Sequence, residues 1–361
     1  MTNKERVIAA LRHEQPDRCP YVIEFTQRAK AAMEAVYGDS YLPLIDNAIH
    51  KVTAKLGPKA QWVSETVYQD EWGVQWDRAI DPDIGNVCNR VLPERDLSGF
   101  ETPLESLGRG HPARLGEERP EAGRMPALQG SEAAVKFEGF AEQIAAGEGK
   151  FIRLSLAFTT FERAWSLRGM ENIMLDMMEA PAFVDELLDR LCEYNLALLE
   201  QAVQYPIDCV HFPDDWGDQR GVMMGPRLWE RFLQSRVERL FEATKRAGKF
   251  VSIHCCGKVQ ELFPRLIDMG LDLFNPFQPE VMNPYEMKRE FGDRLAFWGG
   301  VSTQRLLPYG TPEEVRTEAR RLMREVGRDG GYVISPAHQL PGDARPENVM
   351  ALIEAVNEQV R

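Results

Sequence analysis

No stretch of this sequence approaches the ~20 consecutive apolar residues that a membrane-spanning helix requires, so a spanning protein of that kind is not expected. Met1 to Leu11 carries Lys4, Glu5 and Arg6 and lacks an apolar run of signal-peptide length. A cytoplasmic location follows as the expectation. Positive charge is not in excess, because 43 Lys+Arg face 56 Asp+Glu for a formal net charge of −13. With no basic arm or face to track phosphates, a nucleic-acid partner is not expected. Six cysteines are scattered along the chain, two of them adjacent at Cys255 and Cys256. In a reducing compartment they read as core filler, ligand or nucleophile rather than as a disulfide framework. A Gly-rich phosphate loop after an early strand is also missing, which counts against a doubly wound nucleotide-binding fold.

What is present is ordinary globular composition, 43% hydrophobic and 27% charged over 361 residues, enough to bury a large core. Residues 4–13 read as an amphipathic helix, and Tyr21 to Phe25 as a short strand. From 96 to 149 glycine and proline crowd among Glu and Arg, which reads as a surface insertion, with a lid or a dimer arm as alternatives. From 150 onward short apolar strands alternate with longer helical patterns. The strands fall at 151–157, 208–212, 250–254, 271–274, 295–298 and 332–335, and the helices include 226–246, 259–269, 312–326 and one opening near Pro346. About eight such units with no linker between them predict one α/β domain over 1–361, a single (β/α)8 TIM barrel.

In a barrel of this kind the chemistry sits at the C-terminal ends of the strands. Those ends hold Glu24, then Phe158 with Thr159 and Thr160, then Asp214, Asp215 and Trp216. His254, Cys255 and Cys256 follow, then Asn275 with Phe277 and Gln278, Gly299 and Gly300, and His338. Side chains two apart on an extended segment share a face, so His254 and Cys256 could converge on one Zn2+ at ~2.0–2.3 Å each. His338 is the best third ligand and Glu24 a fourth. The competing reading is a buried histidine satisfied by a backbone carbonyl beside two packed thiols. Asp214 and Asp215 could split roles, one ionised to orient a substrate and one holding a proton, or one could simply cap the next helix. Arg163 could hold a substrate carboxylate or sit in a helix-surface ion pair. Asp70-Glu71-Trp72-Gly73 reads as a structural strand or turn.

Five blocks carry a resemblance to a known superfamily over nearly the whole chain. They are "RVIAALRHEQPDRCP" at the N-terminus, "FPDDWG" at 212–217, "HCCGKVQELFPRLIDMGLDLFNPFQPE" at 254–280, "WGGVSTQ" at 298–304 and "GGYVISPAHQLPGDARPENV" at 330–349. Together they resemble the uroporphyrinogen decarboxylase superfamily, which implies a (β/α)8 barrel. The superfamily holds cofactor-free decarboxylases and corrinoid-linked, zinc-dependent methyltransferases such as the methylcobamide:coenzyme M methyltransferases. The latter use His-x-Cys plus a distant Cys. Here His254 and Cys256 match the pair, and His338 stands at the third position, as it does in the decarboxylases. The decarboxylase segment "RQAGRY" becomes "EFTQRAK", with Arg28 its sole cation before Lys30; a tyrosine gives way near Ala164, and a serine to Asp215. An octacarboxylate substrate calls for cations, whereas the ring as read gathers Glu24, Asp214 and Asp215.

The resemblance therefore implies a zinc-dependent methyltransferase that moves a methyl group between a small substrate and a corrinoid on a partner protein. His254, Cys256 and His338 would hold Zn2+, and Asp214 or Asp215 would handle the proton. Phe158, Trp216 and Phe277 would shape an apolar pocket that Glu24, Arg163 and Gln278 complete. A homodimer is a further implication. The alternatives are a decarboxylase in which His338 and an aspartate stabilise a protonated ring, and a non-catalytic corrinoid or tetrapyrrole binder.

Overall fold

The computed structural model describes residues 1–54, 60–108, 137 and 139–359. Eleven strands are assigned among them: β1 (Ile49–Thr53), β2 (Gln61–Trp62), β3 (Val67–Gln69), β4 (Gln75–Asp77), β5 (Asn86–Val87), β6 (Phe151–Ser155), β7 (Cys209–Pro213), β8 (Phe250–His254), β9 (Leu273–Phe277), β10 (Ala296–Val301) and β11 (Tyr332–Pro336). β1 and β6 to β11 form one curled parallel sheet in chain order. Helices connect successive strands, and β6, β9, β10 and β11 are buried along their whole length. Near-continuous apolar strands with both faces covered are what such a sheet demands.

The segment before β1 touches both edges of this sheet. Val22 N–H donates to the Ile334 carbonyl at 3.0 Å, and Ile334 N–H to the Pro20 carbonyl at 3.0 Å. On the other side Ala48 N–H donates to the Tyr21 carbonyl at 2.9 Å. Tyr21 and Phe25 form single bridges with Ile334 and Leu340.

Side-chain alternation sorts the core into two parts. Ile49, Phe151, Cys209, Leu273, Ala296 and Val333 point inside the curl and pack on Val7 and Leu11. These two come from the helix Asn3–Leu11, which starts with a capping box between Thr2 and Glu5 and closes the N-terminal end of the sheet. The next residues outward, such as Val52, Leu154, Val210, Ile253, Phe274 and Phe297, face the helices. With one end closed by that helix, the C-terminal strand ends are left to carry the site.

Several sequence expectations shift. The strand expected at 271–274 runs Leu273–Phe277, and the one expected at 295–298 runs to Val301. The helix expected over 226–246 holds a π-turn at Glu230–Gln234. β2 to β5 form a separate antiparallel sheet, of which the sequence reading holds only the strand or turn at 70–73, here the turn between β3 and β4. Most of the 96–149 excursion lies outside the described residues. Its flanks are not surface decoration, because Leu97, Phe100, Phe137 and Phe140 are buried in the main core.

Candidate metal centre

The loops after β7 and β8 are pressed together at two glycines. A Cβ on Gly257 would lie 2.4 Å from the Gly217 carbonyl carbon, and one on Gly217 would lie 2.7 Å from the Cys256 oxygen. Only glycine permits that approach. It brings Asp215 against Cys256, whose N–H donates to Asp215 Oδ1 at 2.7 Å. The same oxygen lies 4.0 Å from His254 Nε2.

His254, Cys256 and His338 converge, with their ligand atoms all within 4.8 Å of one another. Cys256 Sγ is 3.4 Å from His254 Nε2. Ligand atoms of a tetrahedral zinc are roughly 3.4–3.8 Å apart, given bonds of 2.0–2.3 Å. The closer pair already matches, and closing the rest requires a small turn of solvent-exposed His338. Behind the cluster, Asn275 Oδ1 sits 2.7 Å from His254 Nδ1 while Asn275 Nδ2 donates to the Trp298 carbonyl at 3.2 Å. The carbonyl fixes the amide's orientation, so Nδ1 carries the proton and Nε2 presents its lone pair to the cluster.

His338 keeps a solvent-facing edge, but desolvation by the protein around its ring, and then the His254 ring beside it, pushes the imidazole down to about 4, which keeps it neutral and able to ligate at neutral pH. Burial followed by the Asp215 and Glu162 carboxyls pushes the Cys256 thiol up. A thiolate there needs compensation, which a divalent cation would supply. The donor set and its surroundings fit zinc.

Asp214 behaves differently from Asp215. Its carboxylate is buried and accepts from the backbone N–H groups of Thr160, Phe161 and Glu162 at 3.2, 3.2 and 2.8 Å. Thr160 Oγ1 and, at 2.6 Å, Trp216 Nε1 also donate to it. It therefore caps the helix Phe161–Arg168 from a distant strand end. Trp216 and Phe277 are buried away from the cluster, Trp216 against Trp229 and Phe277 stacked on Phe297 at 4.3 Å. Gln278 Oε1 accepts from Gly257 N–H at 3.3 Å. Phe158 is half-buried and stacks on Trp76.

Arg163 is committed elsewhere. Its guanidinium is buried and pairs with Asp70 at 2.7 Å, so it is not open to a substrate carboxylate. Asp70 also accepts from Trp72 N–H, Val74 N–H and Trp76 Nε1, which makes this pair the clasp between β3–β4 and the main sheet.

Three residues that sequence reasoning did not single out belong to this region. Glu162 is buried beside Asp215 and Asp214, and that burial and their charges raise its carboxyl well above the ordinary value. Arg153 and Lys51 are paired across β6 and β1. Arg153 Nη2 lies 3.9 Å from Glu24 Oε1. The interior is therefore not simply acidic, as the count of Glu24, Asp214 and Asp215 suggested. The signal was there: Arg153 is the one charge within an otherwise apolar strand. A surface cleft of about 400 Å3 lined by Arg220, Lys258, Glu261 and Glu290 carries no histidine or cysteine, so the chemistry is assigned to the strand ends.

Residues 155–359, more than half of the chain, match the family described as uroporphyrinogen decarboxylase (URO-D), and the chain belongs to that family. It is 27% identical over 194 residues to uroporphyrinogen decarboxylase of Methylococcus capsulatus, covering 54% of this chain and 53% of that one. To the enzyme of Magnetococcus marinus it is 26% identical over 192 residues, 51% and 50% of the two chains. The chain thus spans about half the length of the curated relatives it matches. Its fold is similar to that of a methyltransferase from Methanosarcina mazei, with a TM-score of 0.67 at 18% identity over 99% of both chains. Among the described residues no helix is long and apolar enough to cross a membrane.

Proposed function

We propose that this chain is a zinc-dependent methyltransferase that passes a methyl group between a small substrate and a corrinoid carried on a partner protein. We take it to be one cytoplasmic (β/α)8 unit in which residues 20–25 serve as the eighth strand. The observation that carries the reading is the convergence of His254, Cys256 and His338, with Asn275 holding His254 in the ligating tautomer.

In this reading His254 Nε2, Cys256 Sγ and a ring nitrogen of His338 hold the ion, and Glu24 is the proposed fourth donor. When bound, zinc lowers the pKa of a substrate thiol or hydroxyl and so raises its nucleophilicity or its leaving ability. Asp215, within 4.0 Å of His254 Nε2, takes or returns the substrate's proton. Asp214 keeps the strand-end loop in place by capping the helix at Phe161, and Glu162, its carboxyl raised by burial beside Asp215 and Asp214, is a reserve proton donor. Phe158, stacked on Trp76, is the proposed apolar wall for the substrate, and Gln278 steadies the Gly257 turn.

Elemental analysis tests the metal. About one zinc per chain is expected, lost in His254→Ala and Cys256→Ser, together with methyl transfer to or from methylcobalamin. If His254→Ala changes neither metal content nor transfer, the reading fails. The relatives support a second reading, a cofactor-free decarboxylase in which His338 and Asp215 stabilise a protonated ring. Activity on uroporphyrinogen in chelator-treated protein would establish that alternative.

A further inference from the structure

The surface cleft of about 400 Å3 opens where the loops after β7 and β8 meet the end of the helix Pro284–Phe291. Arg220 comes from the first loop, Lys258 and Glu261 from the second, and Glu290 from the helix. Among the described residues Lys258, Glu261 and Glu290 enter no ion pair, and Arg220 pairs only with Asp218 of its own turn, at 3.2 Å. A Cβ on Gly221 would lie 3.8 Å from Glu261 Oε1, so that carboxylate stands against the first loop. Two cations and two carboxylates thus line one cleft without meeting each other. Gln260, on the same wall, keeps its Oε1 buried with no hydrogen-bond partner. A buried acceptor without a donor is costly, and the soft last torsion of a glutamine lets it turn toward one.

The charges select the guest. A divalent cation in the cleft would face Arg220 and Lys258, and a phosphate would face Glu261 and Glu290, so a guest of one sign is repelled by half of the lining. A neutral guest that carries both signs serves both pairs at once. Buried Phe291 and the ring of Pro264 add an apolar surface, and the volume is that of a small-molecule site. We propose that this cleft binds a small zwitterion of the α-amino-acid class with an apolar side chain. Its carboxylate goes to Arg220 and Lys258, its ammonium to Glu261 and Glu290 with Gln260 Oε1 as a further acceptor, and its side chain lies on Phe291 and Pro264.

Such a guest bridges the seam between the two loops. Lys258 N–H donates to the Asp218 carbonyl at 2.8 Å and Asp218 N–H to the Gly221 carbonyl at 2.9 Å, while Asp218 Oδ1 accepts from Gly221 N–H at 3.0 Å. One residue further in, Gly217 and Gly257 meet and set Asp215 against Cys256. A carboxylate held by Arg220 and Lys258 together clamps this seam from outside, so an occupied cleft steadies the backbone that positions Cys256. That Cys256 then serves a metal rests on the zinc reading above; the cleft and its clamp do not.

The test is calorimetry on the full chain, before and after chelation, with three probes. They are leucine, leucinamide, which lacks the carboxylate, and N-acetylleucine, which lacks the ammonium. Leucine should bind about fivefold tighter than either, the upper end for solvent-accessible ion pairs. Arg220→Gln combined with Lys258→Gln should bring leucine level with leucinamide, and Glu261→Gln combined with Glu290→Gln should bring it level with N-acetylleucine. All four side chains are exposed, so these variants fold. Leucine should also slow hydrogen exchange at the Asp218 and Lys258 amides in wild-type protein, and in neither double variant. No saturable binding of leucine, equal binding of the three probes, or a preference that survives in both double variants overturns the site. Binding that leaves exchange at Lys258 unchanged overturns the clamp. If the chain holds no zinc but leucine keeps its preference, the metal reading falls and the cleft stands.

Discussion

The Asn275 carboxamide bridges two parts of the fold, taking the Nδ1 proton of His254 on its oxygen and giving its own N–H to the Trp298 carbonyl. The His254 ring is oriented before any ion arrives, by a side chain one strand away in the sheet. Asn275→Leu should therefore weaken zinc binding by about 10–100-fold, the usual cost of removing the partner behind a ligating histidine. His254→Ala should abolish it. Competition against a chromophoric chelator reads both, and an unchanged affinity in Asn275→Leu would mean that the ring is held by other contacts.

Asp214 and Asp215 are adjacent, yet they predict opposite phenotypes. Asp214→Ala strips a buried acceptor from three backbone N–H groups, a hydroxyl and an indole. It should cost about 2–4 kcal/mol in denaturant unfolding and leave zinc content intact. Asp215→Ala removes one hydrogen bond to Cys256 N–H, for about 1 kcal/mol, and should reduce methyl transfer far more than stability. A stability loss for Asp215 as large as that for Asp214 would make both of them structural.

The difference between these two carboxylates shows what the sequence could and could not reveal. Strand ends are legible because apolar runs stop and polar residues begin, so Asp214, Asp215, His254, Cys256 and His338 were all in view. Which neighbour turns inward depends on the close approach of Gly217 and Gly257, a contact between loops 40 residues apart that no local pattern encodes. Trp216 and Phe277 were beyond local pattern for the same reason: each lies at a strand end, and its ring packs on Trp229 or Phe297. The antiparallel β2–β5 sheet escaped notice because its strands are two or three residues long, too short for alternation to register.

Asp70 and Arg163 predict how that small sheet is fastened. The pair is buried, and Asp70 also gathers three N–H donors from the β3–β4 turn. Removing one partner leaves the other as an uncompensated buried charge, at about 3–5 kcal/mol. Arg163→Met should therefore destabilise the chain by that order and raise hydrogen exchange over residues 61–87 before the main sheet responds. Uniform exchange across both sheets would show that the clasp is not a local one.

The buried titratable groups set the pH dependence of the metal-free protein. Burial, then the charge of Arg153, holds His211 well below its usual value of about 6.5. As pH falls below that value, the unfolded chain takes up a proton that native His211 refuses, so stability drops with falling pH. The His338 ring, pushed down to about 4, acts in the same direction across the window from about 6.5 to about 4. Glu162 works the other way. Its carboxyl is raised in the fold, so the native state keeps a proton that the unfolded chain releases, and stability is lost as pH rises above the ordinary glutamate value. His211→Gln should accordingly flatten the acid side of a plot of melting temperature against pH, and Glu162→Gln the alkaline side. Glu162→Gln should melt above wild type at pH 8 and level with it at pH 4. Curves that stay parallel to wild type in both variants would show that neither group holds its proton state against solvent.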